Sequence, residues 1–168
     1  MVLVKSVIMP RVNRLALWFS VALALVVVDQ ATKAWASAAL VYAEPNEIFS
    51  WLNITLHHNE GAAFSFLSDA GGWQRYFFTG IAVGVSIIIT VWMTRLKPEE
   101  YFLGWALALV LSGAVGNVID RILLGYVVDF ISVHWQHWYF PTFNIADSCI
   151  TLGAIGLLVD GFKSPSKS

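Results

Sequence analysis

Two aspartates stand in stretches otherwise too apolar to hold a charge. Asp129 lies in Tyr126-Val127-Val128-Asp129-Phe130. Asp147 lies in Phe143-Asn144-Ile145-Ala146-Asp147-Ser148, which runs on into Cys149-Ile150-Thr151-Leu152-Gly153-Ala154. An ionisable group at membrane depth is costly and marks a functional site by default. Two carboxyl groups brought together in a low dielectric cannot both ionise easily. One then keeps its proton, which places an acid and a base in one site. Each aspartate has a structural alternative: Asp129 could pair with Arg121, and Asp147 could satisfy nearby backbone donors. The two are 18 residues apart on separate elements, so their meeting is an expectation.

Other polar residues cluster in the same parts of the chain. Asn117 and Arg121 are spaced i and i+4 and share a helix face. Arg121 could direct several hydrogen bonds at a carbonyl, or it could snorkel at the interface paired with Asp120. Asn59-Glu60-Gly61-Ala62-Ala63-Phe64-Ser65 sets an amide beside a small-residue turn, where Gly61 lets backbone approach a ligand closely. Asp29 and Lys33, four apart, read as a helix-end ion pair in a supporting role. His134 and His137 have a spacing a metal could use, but no Cys or Glu cluster completes a set, and no metal or cofactor is expected. Gly80 and Gly84 read as a helix-packing step. Asn53-Ile54-Thr55 matches a glycosylation sequon too short to carry weight.

The elements that hold these residues are those of a membrane protein. Of 168 residues, 58% are hydrophobic and only 12% charged, where soluble domains are about one quarter charged. A net charge of −1 leaves no basic tract for nucleic acid. The single cysteine, Cys149, excludes an intrachain disulfide framework. Eight tryptophans and five tyrosines suit membrane–water interfaces. Four runs approach the roughly 20 residues a helical crossing takes: about 15–36, 76–94, 101–119 and 143–159. The expected fold is therefore one integral membrane domain over 1–168, mainly α, with four transmembrane helices. Lys5 to Arg14, the apolar stretch after it and Ala36-Ser37-Ala38 resemble a cleavable signal peptide. Against that, Asp29 and Lys33 separate the apolar run from the site, which favours a retained span.

Seven basic residues (Lys5, Arg11, Arg14, Arg95, Lys97, Lys163 and Lys167) fall at one set of span ends, against Lys33, Arg75 and Arg121 at the other. The positive-inside rule puts both termini in the cytoplasm. Asp29, Lys33, Asn59, Asn117, Asp120, Arg121, Asp129 and Asp147 then converge on the outer face. The outer connections, about 37–73 and 121–141, carry further structure. Ile48 to Leu56 alternates as a strand does, and Ala62 to Phe66 is apolar again, so a small surface sheet is expected. The second connection, with Trp135, Trp138 and Tyr139, reads as an interfacial segment.

In order, the chain carries Asp-Gln-x-Thr-Lys, Asn-x-Gly-Ala-Ala-Phe, Gly-Ala-x-Gly-Asn-x-x-Asp-Arg, Val-Val-Asp-Phe and Phe-Asn-x-Ala-Asp-Ser. This series resembles the bacterial lipoprotein signal peptidases (type II signal peptidases), with a particular likeness to the pseudomonad enzymes, over about residues 12–163. The resemblance implies an inner-membrane aspartyl endopeptidase with four transmembrane helices and a small periplasmic β-cradle. It would remove signal peptides from diacylglyceryl-modified prolipoproteins, cutting just before the lipidated cysteine. By motif, Asp129 and Asp147 would be catalytic. Asn59, Gly61, Asn117, Arg121 and Asn144 would line the substrate and inhibitor site, supported by Asp29, Lys33 and Asp120. The implied partners are prolipoproteins, membrane lipid and globomycin-type inhibitors. One departure is the pair His57 and His58 before Asn59, which adds titratable groups to that strand. Two rival readings are a small proton- or ion-conducting protein, which would need polar groups at several depths, and a non-enzymatic membrane scaffold, which would tolerate loss of either carboxyl.

Overall fold

A computed structural model describes residues 10–61 and 73–162 of the chain. Among the described residues there are four helices: α1 (Arg11–Ala39), α2 (Trp73–Arg95), α3 (Tyr101–Leu123) and α4 (Ile145–Gly161). Two strands, β1 (Asn46–Phe49) and β2 (Leu52–Asn59), lie between α1 and α2. Two more, β3 (Val127–Trp135) and β4 (Trp138–Tyr139), lie between α3 and α4. Lys5, Lys163, Lys167 and the apolar run Ala62 to Phe66 fall outside the described residues.

Helix α3 is the centre of the bundle. Its buried face, with Leu103, Leu107, Ala108, Val110 and Leu111, meets Trp18 and Ala22 of α1 and Ile89 and Met93 of α2. Small residues let α4 and α1 come close to it. A Cβ on Gly113 would stand 2.2 Å from the carbonyl oxygen of Ala146, and one on Gly104 would stand 2.2 Å from the Trp18 ring. An apolar groove of about 630 Å³ runs between α1 and α2 over α3. By contrast, nothing lies within 4 Å of a Cβ at Gly80 or Gly84. The expected small-residue packing step on α2 therefore meets no other part of the described chain.

Many large apolar side chains, such as Leu23, Ile87, Ile88, Trp92 and Leu158, point outward. In lipid that exposure carries no penalty, and helices satisfy their own backbone groups. Among the described residues, α1, α2 and α3 are long and apolar enough to cross a membrane. Length and composition thus support three of the four expected spans. Helix α4 has 17 residues, about 26 Å, where the hydrocarbon core is about 30 Å thick.

The sheet has the order β1-β2-β3-β4 and is antiparallel throughout. It is larger than the expected one, because the stretch read as a single strand is a hairpin and the second connection joins it. The physical reason β3 escaped the sequence reading is its burial. Val127, Val128, Asp129 and Phe130 are all buried, so apart from Asp129 the strand's first half is apolar on both faces and shows no alternation. A second core of Ala36, Leu56, Val128 and Phe130 seats the sheet on the end of α1, and Trp35 meets Phe130 edge-on at 6.5 Å. At the opposite end, Arg14 donates to the Lys97 carbonyl at 2.9 Å and lies over the Trp18 and Tyr101 rings.

Candidate active site

Asp129 and Asp147 reach the same place from two different constructions. Asp129 sits in the interior of β3, opposite His57 of β2. Asp147 sits in the first turn of α4, where acidic groups complement the helix N-terminus. The chain between them folds back. Phe143 accepts from the Phe130 and Ile131 amides at 3.1 and 2.8 Å and donates to Ile131 at 3.0 Å, which brings Asn144 beside Asp129.

Asn144 is wholly buried and joins the pair. Its amide nitrogen donates to Asp129 Oδ1 at 2.7 Å, with Val128 O at 3.2 Å and Asn117 Oδ1 at 3.3 Å also within reach. Its side-chain oxygen accepts from the Asp147 amide at 2.9 Å, and its own backbone N–H donates to Asp147 Oδ2 at 3.4 Å. This is a reciprocal capping box. Asn59 Nδ2 donates to Asp129 Oδ2 at 3.1 Å, and Asn117 Nδ2 donates to Asp147 Oδ1 at 2.7 Å. Three asparagine side chains therefore address the two carboxyl groups, and neither aspartate has an ion-pair partner within 4 Å among the described residues. Burial first, then the charge of Asp147, pushes the Asp129 carboxyl up to about 7, against weaker opposing hydrogen bonds from Asn59 and Asn144.

Asn144→Ala removes both the cap and the shared donor. We expect a stability loss of about 0.5–2 kcal/mol from the cap alone. Any chemistry that uses the two carboxyl groups should fall more steeply than stability, which parallel activity and thermal unfolding measurements will separate.

Behind the pair lies a buried ionic layer. Lys33 Nζ meets Asp29 Oδ2 at 2.9 Å and Asp120 Oδ2 at 3.0 Å, and donates to Asn117 Oδ1 at 3.0 Å. Both carboxylates also hold backbone. Asp29 Oδ1 accepts from the Ala146 amide at 2.8 Å, and Asp120 Oδ2 accepts from the Val128 amide at 3.1 Å. Each of those amides is one residue before an aspartate of the pair. Gln30 completes the layer, donating to Asp120 Oδ1 at 2.8 Å and to Asp29 Oδ2 and the Gly116 carbonyl at 3.2 Å. The sequence reading did not single out Gln30, although its place beside Asp29 was the available signal. Gly116 makes room for the layer: a Cβ there would lie 2.6 Å from Asp29 Oδ2.

Arg121 pairs with neither Asp120 nor Asp129. Its guanidinium stacks 5.8 Å from the Phe78 ring centre and makes one long contact, 3.5 Å, to the Asn117 carbonyl. Its Nε is buried with no partner among the described residues. Gly61, at φ +103°, donates to Asn59 Oδ1 at 2.9 Å and fixes that side chain. His58 stacks on Tyr126 at 4.0 Å, and burial, then the neighbouring His57, holds its imidazole below the ordinary value. His134 stacks on Tyr139 at 4.8 Å, and no group of three His, Cys, Asp or Glu suited to a metal occurs among the described residues.

Comparison with known proteins bears on this geometry. The profile of the family described as signal peptidase (SPase) II matches residues 21–163. The lipoprotein signal peptidase of Acinetobacter baumannii is 57% identical over 146 residues, covering 87% of this chain and 83% of that protein. That of Pseudomonas aeruginosa is 51% identical over 163 residues, covering 93% and 95%. Among solved structures, a bacterial membrane enzyme determined at 1.9 Å by the in meso method superposes with a TM-score of 0.78 at 34% identity. It covers 89% of this chain and 94% of the other.

Proposed function

Because this chain belongs to the signal peptidase II family, whose members remove signal peptides from prolipoproteins, we propose that Asp129 and Asp147 are its catalytic pair. The protein is a multi-pass membrane aspartic peptidase of that family. The observation that carries the residue assignment is Asn144, which binds both carboxyl groups at once. One aspartate takes a proton from a bound water while the other, protonated, hydrogen-bonds the scissile carbonyl. The water oxygen bonds to the carbonyl carbon and gives a gem-diol. The C–N bond then breaks as the leaving amine takes a proton. Asn59, Asn117 and Asn144 hold the carboxyl groups in register, and Arg121, without a carboxylate partner, directs its free N–H groups at the substrate.

In this reading α4 is a fourth crossing and both termini are cytoplasmic. The pair then faces the periplasm from the inner membrane, and the substrate's acyl chains remain in lipid. Globomycin-type cyclic peptides would occupy the same site, contacting Asn59, Gly61, Asn117, Arg121 and Asn144. Proton or ion conduction is not favoured: the buried carboxylates and amides of α1 and α3 (Asp29, Asn117 and Asp120) gather with Asn144 at one end of the bundle.

The test is cleavage of a diacylglyceryl prolipoprotein by the purified protein, followed as a function of pH. The raised Asp129 value means that the shared proton stays on below about 7 and leaves above it. Cleavage should therefore fall as pH rises through about 7, with a second fall on the acid side as both groups become protonated. Stability should move with the same proton. The folded chain holds it more tightly than the unfolded chain, whose Asp has a value near 3.8, so stability declines as pH rises between about 4 and 7. Activity that stays flat from pH 6 to pH 9 would count against a shared proton.

A further inference from the structure

Beyond the candidate catalytic pair, the sheet borders a second, open cavity of about 430 Å³, within the roughly 300–1,000 Å³ typical of ligand sites. Asn53, Thr55 and His57 of β2, Ser132 of β3, and Tyr139 and Thr142 supply its polar lining; Ala43, Pro45, Phe140 and Pro141 complete the wall. No residue of the four helices takes part. Asn53 and Thr55 are only 6% and 5% exposed, yet Asn53 Oδ1 and Thr55 Oγ1 have no partner among the described residues. Buried polar atoms are ordinarily satisfied, and each exception asks for an explanation. The register shift between Ile54 and His57 falls at this point, and such bulges re-aim side chains beside functional sites.

We infer that this cavity is a subsite for the main chain of the substrate just after the lipidated cysteine, with Asn53 and Thr55 supplying its hydrogen bonds. The inference rests on the peptidase reading above. His57, which lines the cavity, opposes Asp129 across the β2–β3 ladder, and Thr142 is two residues from Asn144, so the cavity lies along the same ladder, a few residues from the pair. The two sides of the scissile bond must part there. The apolar signal segment belongs with the helices, and the mature chain must leave on the side away from them, where the cavity is. An extended peptide offers alternating N–H and C=O groups, which suit an amide oxygen and a hydroxyl set two residues apart on one strand. The sequon-like Asn53-Ile54-Thr55 thereby acquires a use unrelated to glycosylation.

Thr55→Val and Thr55→Ser test this with a diacylglyceryl prolipoprotein and with the same substrate ending one residue after its cysteine. On the long substrate, Thr55→Val should raise KM about three- to tenfold, one hydrogen bond's worth, with kcat and the thermal midpoint unchanged. Thr55→Ser keeps the hydroxyl and should retain the parental KM. On the short substrate the parent and Thr55→Val should be alike. A parental KM for Thr55→Val on the long substrate, or an equal loss on both substrates, overturns the subsite and leaves the peptidase assignment standing. No cleavage of either substrate by the parent overturns both.

Discussion

Asp129→Asn and Asp147→Asn each lower kcat/KM for a diacylglyceryl prolipoprotein by at least about a thousandfold, within the range expected when a general acid or base is removed. The argument is chemical rather than steric. Asparagine keeps the shape of the side chain, so the bundle and the sheet have no reason to move. What it removes is the ability to hold or release a proton at a place where water must be activated. At position 129 the amide also turns an N–H toward Asn59 or Asn144, both of which donate to the native carboxyl group. That mismatch costs about 1 kcal/mol. It is partly offset because burial and Asp147 already oppose a charge at 129. Thermal midpoints close to the parent's are therefore expected. The double variant should be scarcely worse than either single one, because residues acting as a unit are not additive. A folded single variant retaining a tenth of parental turnover would remove that residue from the catalytic pair.

Much of this was readable from the chain, for identifiable reasons. A lipid solvent demands long uncharged runs, so the span starting at 101 coincides with the start of α3, and 76–94 lies inside α2. Polar residues are costly in such runs, so those present stand out, and Asp29, Lys33, Asn117 and Asp120 are all buried together. What periodicity could not convey was the role of the second outer connection. Val127 to Phe130 is buried on both faces, and a strand of that kind has no alternation to read. The meeting of Asp129 with Asp147 was inaccessible for a related reason. It depends on backbone hydrogen bonds from Phe143 to residues 130 and 131, and backbone pairing leaves little mark on side-chain pattern. Nor could sequence assign partners within a charge cluster. Arg121 beside Asp120 suggested a pair, whereas Lys33, 87 residues from Asp120, takes that carboxylate instead.

That choice of partner makes Lys33 the residue whose loss should do most to the fold. It is the sole cation within 4 Å of Asp29 or Asp120 among the described residues, and it is itself buried. Lys33→Met leaves two buried carboxylates facing each other across the site of the lost ammonium. Breaking a buried ion pair in this way costs about 3–5 kcal/mol. The damage should also reach the chemistry. Asp29 fixes the Ala146 amide and Asp120 the Val128 amide, so their repulsion shifts the backbone just before both catalytic candidates. Lys33 further donates to Asn117 Oδ1, which leaves the Asn117 amide pointing at Asp147. We expect Lys33→Met to unfold at markedly lower temperature in detergent and to lose activity even well below its midpoint. Adding Asp29→Asn to that variant should recover part of the stability, since one unpaired charge is then gone, but not the turnover. If Lys33→Met were as stable as the parent, the layer would not be a stabilising network. If it were destabilised yet fully active at low temperature, the layer would support the fold without positioning the pair.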